Sequence, residues 1–333
     1  MQSYVFAVAA PCLFGFQSLL GHGLEVLGDP VPPPASAVSI VLDDAAKESF
    51  ALPVFDVIPS HTDQPRKHLF LDLFGLTESD RARVPDNYRH EPGAENYFNE
   101  SSRAYLMIVP NRGYWTGRAP ARLAAHGQIP DGVPADEDVR KQGMEILQKL
   151  SYEPSRFAHD PNGSLTARMT ASSRIHFDRA KNGPVTEIFE RGIWFWRSHE
   201  GTKTLGLGGG GGVHVSYGNK GAVSEIEIVM RQLKVRQTVQ FDSTVAIESA
   251  LRQGRAVSDT VSRPSAVSKI RVIGVTPFLL ELSGSDPQQV VWPVIEAKCT
   301  ADTADGEQPF RIFIDPRHMQ KESSDNKKKG AQP

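Results

Sequence analysis

The sequence predicts an α+β protein in which curved antiparallel sheets repeat along the chain, each packed on a helix. The 333 residues include 24 prolines and 28 glycines, a turn content typical of β-rich chains. Residues 212–217 and 223–229 alternate apolar and polar side chains around a short glycine-bounded turn, which predicts a β-hairpin. Residues 136–150 carry an acidic first turn and an apolar face, which predicts a helix.

The remaining elements follow from periodicity and from the residues that end each segment. Two further helices are predicted at 67–74, closed by Gly75, and at 243–252. Strands are predicted at 37–42, 52–58, 104–109, 173–177, 192–196, 269–273, 278–282, 290–297 and 310–314.

The order of a helix followed by strands recurs at 64–117, at 136–230 and at 243–314. This recurrence predicts an N-terminal α+β unit over residues 1–125 and further α+β units over residues 126–320. The polar residues 321–333 predict a disordered tail.

Composition excludes several classes of protein. Hydrophobic residues make up 39% of the chain and charged residues 23%, which suits a packed core. The 37 basic and 39 acidic residues give a net charge of −2, which argues against a nucleic-acid partner. The chain contains no run of about 18 uncharged apolar residues, so we expect no membrane span.

The compartment stays open between the secretory pathway and the cytoplasm. The sequons at Asn99 and Asn162 predict glycosylation and favour the secretory pathway. The apolar residues 4–16 lack the basic residues of a signal peptide, so they are either a weak signal or the first strand. Cys12 and Cys299 are too few for a disulfide scaffold or a cysteine zinc site, and whether they pair stays open.

No cofactor is expected from the motifs. The five glycines 208–212 precede a strand and lack the Lys-Ser/Thr of a phosphate loop, so they predict a flexible hairpin or lid loop. His199 and His214 would approach each other if residues 193–199 and 213–217 pair, but no metal-ligand spacing accompanies them. No G-x-S-x-G elbow is present. We therefore expect neither a metal nor a nucleotide.

A pattern of segments resembles secreted bacterial proteins with PepSY-like or YycH/YycI-like modules. The resemblance is carried by the run 193–201, the glycines 208–212, the strand 213–217 with Gly221, the helix 244–251, and the closing pair 291–298 and 310–315. It covers about residues 50–315. It implies cystatin-like α+β modules and a binding or regulatory role, and it brings no catalytic residues.

Aromatic residues mark the candidate site. Trp194 and Trp196 share one face of a predicted strand, with Phe195 on the other. Such residues fill cores as often as they line ligand pockets. We predict a site at the junction between units, where residues 193–200 face residues 114–118. Its catalytic residues would be Tyr114, Arg118, Arg197 and His199, and its substrate-binding residues Trp115, Trp194, Trp196 and His214.

Three functions fit these features. The first is a cofactor-independent enzyme of natural-product biosynthesis that cyclises or isomerises a hydrophobic small molecule, or catalyses its cycloaddition, because such reactions depend mainly on orientation and a few hydrogen-bond donors. The second is a non-catalytic secreted binding or inhibitory module, as the resemblance implies. The third is a structural secreted protein. The aromatic and polar residues favour the enzyme, and the substrate and the oligomeric state stay open.

Overall fold

The computed structural model describes residues 27–81, 91, 93–125, 128–178, 182–206, 210–258 and 267–317. Within these residues the fold is mixed α+β, mostly strands in two sheets with three α-helices, which confirms the predicted class. The apolar residues 4–16, which include Cys12, and the tail 321–333 lie outside the described residues.

The elements follow one another along the chain from strand β1 to strand β17. In chain order they are β1 (Asp29–Pro30), β2 (Ser39–Leu42), β3 (Ser49–Ile58), α1 (Gln64–Phe74), β4 (Glu95–Phe98), β5 (Tyr105–Val109), β6 (Tyr114–Arg118), α2 (Asp136–Lys149), β7 (Ala167–Asp178), β8 (Gly183–Trp196), β9 (Ser198–His199), β10 (Thr202–Gly206), β11 (Gly212–Tyr217), β12 (Val223–Val229), β13 (Gln232–Asp242), α3 (Ser243–Arg252), β14 (Ala256–Ser258), β15 (Lys269–Glu281), β16 (Val290–Thr303) and β17 (Gly306–Ile314).

Sheet 1 contains ten of the described strands, eight from the two ends of the chain and β9 and β10 from its middle. Its main path runs β1-β14-β17-β16-β15-β10-β9, while β3 pairs with both β13 and β16, and β2 pairs with β15. Strands β15, β16 and β17 are consecutive antiparallel neighbours, and β15 contains both predicted strands 269–273 and 278–282. Strands β2 and β10 run parallel to β15.

Sheet 2 is formed by the middle of the chain. Its seven strands lie in the order β4-β5-β6-β12-β11-β8-β7, and each neighbouring pair is antiparallel. The predicted hairpin is present as β11 and β12. Strand β6, before residue 125, pairs with β12, after it. The segments 64–117 and 136–230 therefore build one sheet.

Helices α1 and α2 both cover the same face of sheet 2. The Asp63 side chain accepts the backbone N–H of Arg66 at 3.1 Å and caps α1, which ends at Gly75 with φ 66°. Helix α2 has three acidic residues in its first turn, where the helix dipole favours negative charge. The core beneath them includes Phe70, Phe74, Trp115, Ile146, Leu147, Ile193, Phe195 and Val215.

Helix α3 covers one face of sheet 1. Its buried residues Ile247 and Leu251 join a core that contains Val272, Ile295 and Cys299. Burial raises the pKa of the Cys299 thiol to about 12, so this cysteine is an unreactive core residue at neutral pH.

The two predicted sequons differ in their surroundings. Asn99 is half-buried, and its Nδ2 donates to Asp80 Oδ1 at 3.2 Å. Asn162 is exposed in a turn, where its backbone N–H donates to Asp160 Oδ1 at 2.9 Å. None of the helices in the described segments is long and apolar enough to cross a membrane.

Gly143 allows α2 to lie close to sheet 2. A Cβ atom at this position would approach Ile193 Cγ2 to 2.7 Å and the Phe195 ring to 3.1 Å. We expect Gly143→Leu to lower the free energy of unfolding by about 1–3 kcal/mol through overpacking, although leucine is the better helix former. Denaturant unfolding measures this change in the free energy of unfolding. The control Lys141→Leu, at an exposed position of the same helix, should stay within about 0.5 kcal/mol, and an equal loss in both variants would contradict the close packing.

Candidate functional site

The face of sheet 2 that turns away from α1 and α2, here called the distal face, collects most of the predicted site residues. Because side chains alternate along a strand, pairing places every second residue of each strand on this face. One row across four strands contains Trp194, His214, Glu227 and Thr116. The next row contains Gly192, Ser216, Glu225 and Arg118, and a third contains Trp196, Gly212, Val229 and Tyr114.

Aromatic rings stack along the distal face. The centroids of Trp194 and Trp196 are 5.7 Å apart. The Trp194 ring lies 5.3 Å from the imidazole of His214 with 21° between the planes, a stacked arrangement. All three side chains are half-buried, and Lys203 Nζ lies 5.0 Å from the Trp196 centroid. The stack is a rigid apolar wall with a cation at one end, suited to a flat or unsaturated ligand.

Gly192 lets three polar side chains meet beside this wall. A Cβ at Gly192 would approach Thr170 Oγ1 to 2.6 Å and both His214 Nε2 and Ser216 Oγ to 2.7 Å. His214 Nε2 is 3.0 Å from Thr170 Oγ1 and 3.4 Å from Ser216 Oγ. The absence of a side chain at Gly192 thus makes room for a cluster of one imidazole and two hydroxyls.

His214 is neutral at physiological pH. Burial lowers the pKa of its imidazole from 6.5 to about 4, against the opposing influence of Glu190. A neutral imidazole can donate or accept a hydrogen bond without carrying charge, as in enzymes that polarise a carbonyl group with histidine.

Two carboxylates extend the cluster. Glu190 is only 5% exposed and accepts hydrogen bonds from Ser172 Oγ at 3.0 Å and Ser224 Oγ at 2.7 Å. Burial raises the pKa of Glu225, Glu190 raises it further, and Arg118, 4.0 Å away, opposes this rise. A raised pKa makes the Glu225 carboxylate more basic, which is the property that a carboxylate needs to accept a proton.

Arg197 and His199 lie elsewhere, at the joint between the two sheets. Arg197 is 6% exposed, and its Nη1 is 3.2 Å and 3.4 Å from the two carboxylate oxygens of Glu281 in sheet 1. The same carboxylate is 3.4 Å from Nη1 of the buried Arg231. Both guanidinium groups and the carboxylate are thus held in one ion triad.

His199 belongs to the same joint. Its Nε2 lies 2.8 Å from Arg197 Nη2, and its ring centroid lies 4.8 Å from that of Phe55. Burial and the neighbouring Arg197 lower the pKa of His199 to about 4. Because His214 pairs with Trp194, several residues before His199, the register does not bring the two histidines together.

Trp115 lies on the face of sheet 2 opposite to Tyr114. It packs in the helix-covered core, with its ring centroid 5.3 Å from that of Phe70. Strands β8 and β6 do not face each other directly, because β11 and β12 lie between them. Five of the predicted residues therefore lie in three rows on the distal face, while Trp115 lies on the opposite face and Arg197 and His199 lie at the joint between the sheets.

The described part of the glycine run is tightly packed. Residues 207–209 lie outside the described residues, while Gly210, Gly211 and Gly212 are buried. A Cβ on Gly211, whose φ is 64°, would approach Thr204 Oγ1 to 2.6 Å and Glu281 Oε2 to 3.0 Å. In this part of the run, the lack of a side chain lets the backbone at Gly211 lie against Glu281, the acid of the ion triad.

Sequence reasoning missed Thr170, Gly192, Ser216, Glu190 and Glu225. Their role depends on which strands are neighbours and in which register, which periodicity does not give. One signal was present, since the alternation in β12 places Glu225 and Glu227 on one face of a strand whose other face is apolar.

No group of three or more His, Cys, Asp or Glu side chains among the described residues is arranged to hold a metal ion.

No family model matches the chain, and no curated protein matches it significantly. Among solved structures it is similar to an uncharacterized protein from Eubacterium rectale ATCC 33656, with 10% identity and a TM-score of 0.44 over 83% of this chain and 86% of the other.

The ion triad generates a prediction about stability. Glu281→Gln leaves Arg197 and Arg231 buried without a counter-charge, so we expect the free energy of unfolding to fall by about 3–5 kcal/mol. Urea unfolding measures the loss. Glu100→Gln, the same change at an exposed turn, should have almost no effect, and equal stability of the two variants would show that the triad contributes little.

The low pKa of His214 generates a second prediction. Because the unfolded chain binds the proton more readily than the folded one, the contribution of His214 is fully present above pH 6.5 and is lost as the pH falls to about 4. We expect the free energy of unfolding of the His214→Gln variant to fall by roughly 1–3 kcal/mol less over this pH range than that of the unaltered protein. The control His176→Gln, at an exposed position, should lose as much as the unaltered protein. Denaturant unfolding of the three proteins at pH 6.5 and at about pH 4 measures this difference. An NMR titration midpoint of His214 near 6.5 would disprove the prediction.

Proposed function

We propose that this protein is a cofactor-independent enzyme that isomerises or cyclises a hydrophobic small molecule on the distal face of sheet 2. The observation that carries the proposal is the contact between the Trp194–His214 stack and the hydroxyl cluster over Gly192. An apolar wall and convergent polar groups are the usual components of a small-molecule site.

The wall provides binding and orientation. Trp194 and Trp196 offer flat, half-buried surfaces whose positions are fixed by their mutual contact. Holding an unsaturated molecule in one conformation against such surfaces supplies much of the acceleration of cyclisations and isomerisations.

The polar cluster provides hydrogen bonds to developing charge. In the tautomer with a proton on Nε2, His214 donates to Thr170 Oγ1, whose own O–H can then point to a ketone oxygen of the substrate. The neutral imidazole thus orients the Thr170 hydroxyl, and that hydroxyl donates to the enolate oxygen as negative charge develops there.

Glu225 provides the proton transfer. Its carboxylate takes a proton from the carbon next to the ketone, and the same carboxyl group returns that proton to another carbon of the resulting dienolate. One C–H bond breaks and another forms, the double bond moves, and no electrons leave the substrate. Its raised pKa suits both halves of this exchange.

A binding module is the second candidate, because the edge of sheet 2 has features of a protein-binding strand. Strand β7 ends the sheet, and its Ile175 and Phe177 are 72% and 63% exposed. The inhibitory role and the cystatin-like modules that the PepSY-like resemblance implies belong to this candidate, as does secretion with glycosylation at Asn99 and Asn162.

A proton-shift assay tests the enzyme. With a small cyclic β,γ-unsaturated ketone as substrate, conjugation is followed by ultraviolet absorption. We expect Glu225→Gln and His214→Gln to lower kcat by roughly 10²-fold or more, and Trp194→Ala to act mainly on KM. Glu145→Gln, on α2 behind the sheet, is the matched control.

Two outcomes separate the candidates. Equal turnover by the Glu225 and Glu145 variants would contradict the assigned role of Glu225. Binding of the ketone without turnover by the unaltered protein, seen as a change in tryptophan fluorescence that Trp194→Ala abolishes, would contradict catalysis on the distal face and leave that face a binding surface.

A further inference from the structure

A cavity of about 130 Å³ lies on the other side of sheet 2, where the connections between the two sheets meet. Its volume is about ten times the ~10–15 Å³ that one water molecule occupies on the same measure. Its walls come from the segment before α1, from α1 itself, from β6 and from the residues after α2. They include His61, Asp63, Arg66, Trp115, Tyr152 and Arg156.

Two aromatic side chains form its inner wall. Trp115 and Tyr152 are each only 5% exposed. The guanidinium carbon of Arg66 lies 4.5 Å from the centroid of the Tyr152 ring, and Arg66 Nε donates to Leu150 O at 3.3 Å. The inner wall is therefore aromatic, with a guanidinium group held against the Tyr152 ring, while the rest of the lining is largely polar.

The hydroxyl of Tyr152 is a donor that is free to take a hydrogen-bond partner. Among the described residues it has none, although 95% of the residue is buried and it lines the cavity. Burial raises the pKa of this phenol, with Arg66, Arg156 and Arg197 opposing the rise, so the hydroxyl keeps its proton at neutral pH. A hydroxyl that lines the cavity and makes no bond within the described protein can donate to a ligand bound there.

The charge of the walls favours an anion. Arg66 and Arg156 bring two positive charges, whereas Asp63 brings one negative charge and is already 3.5 Å from Arg66 Nη2. Arg156 is exposed and has no ion-pair partner among the described residues. The cavity thus has an excess of positive charge beside a neutral donor.

We propose that this cavity binds a small organic carboxylate, with its oxygens on Arg156 and Tyr152 and its apolar body against Trp115. A planar carboxylate matches the fork of a guanidinium group, and the flat aromatic wall favours an unsaturated or aromatic body over a bare inorganic ion. Tyr114 and Trp115 are consecutive in β6 and lie on opposite faces, so this cavity is separate from the distal face.

Isothermal titration with sodium benzoate tests the proposal on the whole chain. Benzoate should bind, and Arg156→Gln should weaken its affinity by roughly tenfold or more, as loss of a charge-assisted hydrogen bond predicts. Arg140→Gln, at an exposed position of α2, is the matched control and should bind benzoate as the unaltered protein does. Tyr152→Phe removes only the hydroxyl and should also weaken the binding of benzoate. The melting temperature of this variant shows whether it is folded.

Neutral and inorganic probes complete the experiment. Benzamide has the same shape without the charge, and it should bind at least tenfold more weakly than benzoate. Inorganic phosphate should bind more weakly as well, because it lacks an apolar body. No binding of benzoate, equal affinity of the Arg156 and Arg140 variants, or tighter binding of phosphate or benzamide would each overturn the proposal.

Discussion

A single buried carboxylate joins the two sheets. Glu281 ends β15 in sheet 1 and lies between Arg197, which follows β8, and Arg231, which connects β12 to β13. Both arginines also donate to backbone carbonyls, Arg197 to Arg231 O at 2.7 Å and Arg231 to Leu282 O at 2.8 Å. Removing three charges from water is costly, so only a docking that pairs them all is stable. We infer that the triad selects one arrangement of the sheets more than it adds net stability.

The backbone around the triad is built to let these groups approach. Thr204 is fully buried, and its Oγ1 donates to the carbonyls of Arg197 at 3.0 Å and Gly211 at 2.8 Å. Its neighbour Gly211 passes so close to Glu281 that a larger residue would collide with it. This accounts for the described end of the glycine run in terms of packing. At this described end, Gly211 lets the backbone pass between Thr204 and the Glu281 carboxylate.

Local features of the fold could be predicted from the sequence, and pairing over long distances could not. The acidic start of α2, the glycine that ends α1 and the alternation of β11 and β12 are local signals, and each element formed where it was predicted. Strand β13 was missed although Leu233, Val235, Val239 and Phe241 alternate with polar residues. Gln237 interrupts that alternation, and a bulge between Val235 and Gln237 breaks the register of the strand. The pairing of β6 with β12 joins residues more than 100 positions apart, and no periodicity encodes it.

The candidate site shows the same division. Alternation was enough to place Trp194 and Trp196 on one face and Phe195 on the other, and the structure has them so. Arg197 was grouped with them because it follows them in sequence, yet β8 ends at Trp196 and the chain turns toward sheet 1. The hydroxyls of Thr170 and Ser216 reach His214 only through the register of three strands, which a single sequence does not specify.

Strand β6 separates two chemically different surroundings by the thickness of one sheet. Its five residues contribute Tyr114 and Arg118 to the distal face and Trp115 to the cavity beside Tyr152. A slip of one residue would exchange these side chains between the two faces, so an insertion or deletion in β6 would change both at once. Point substitutions, by contrast, can alter either face alone. Divergence of this protein toward new ligands is therefore expected through replacements within β6 and not through changes in its length.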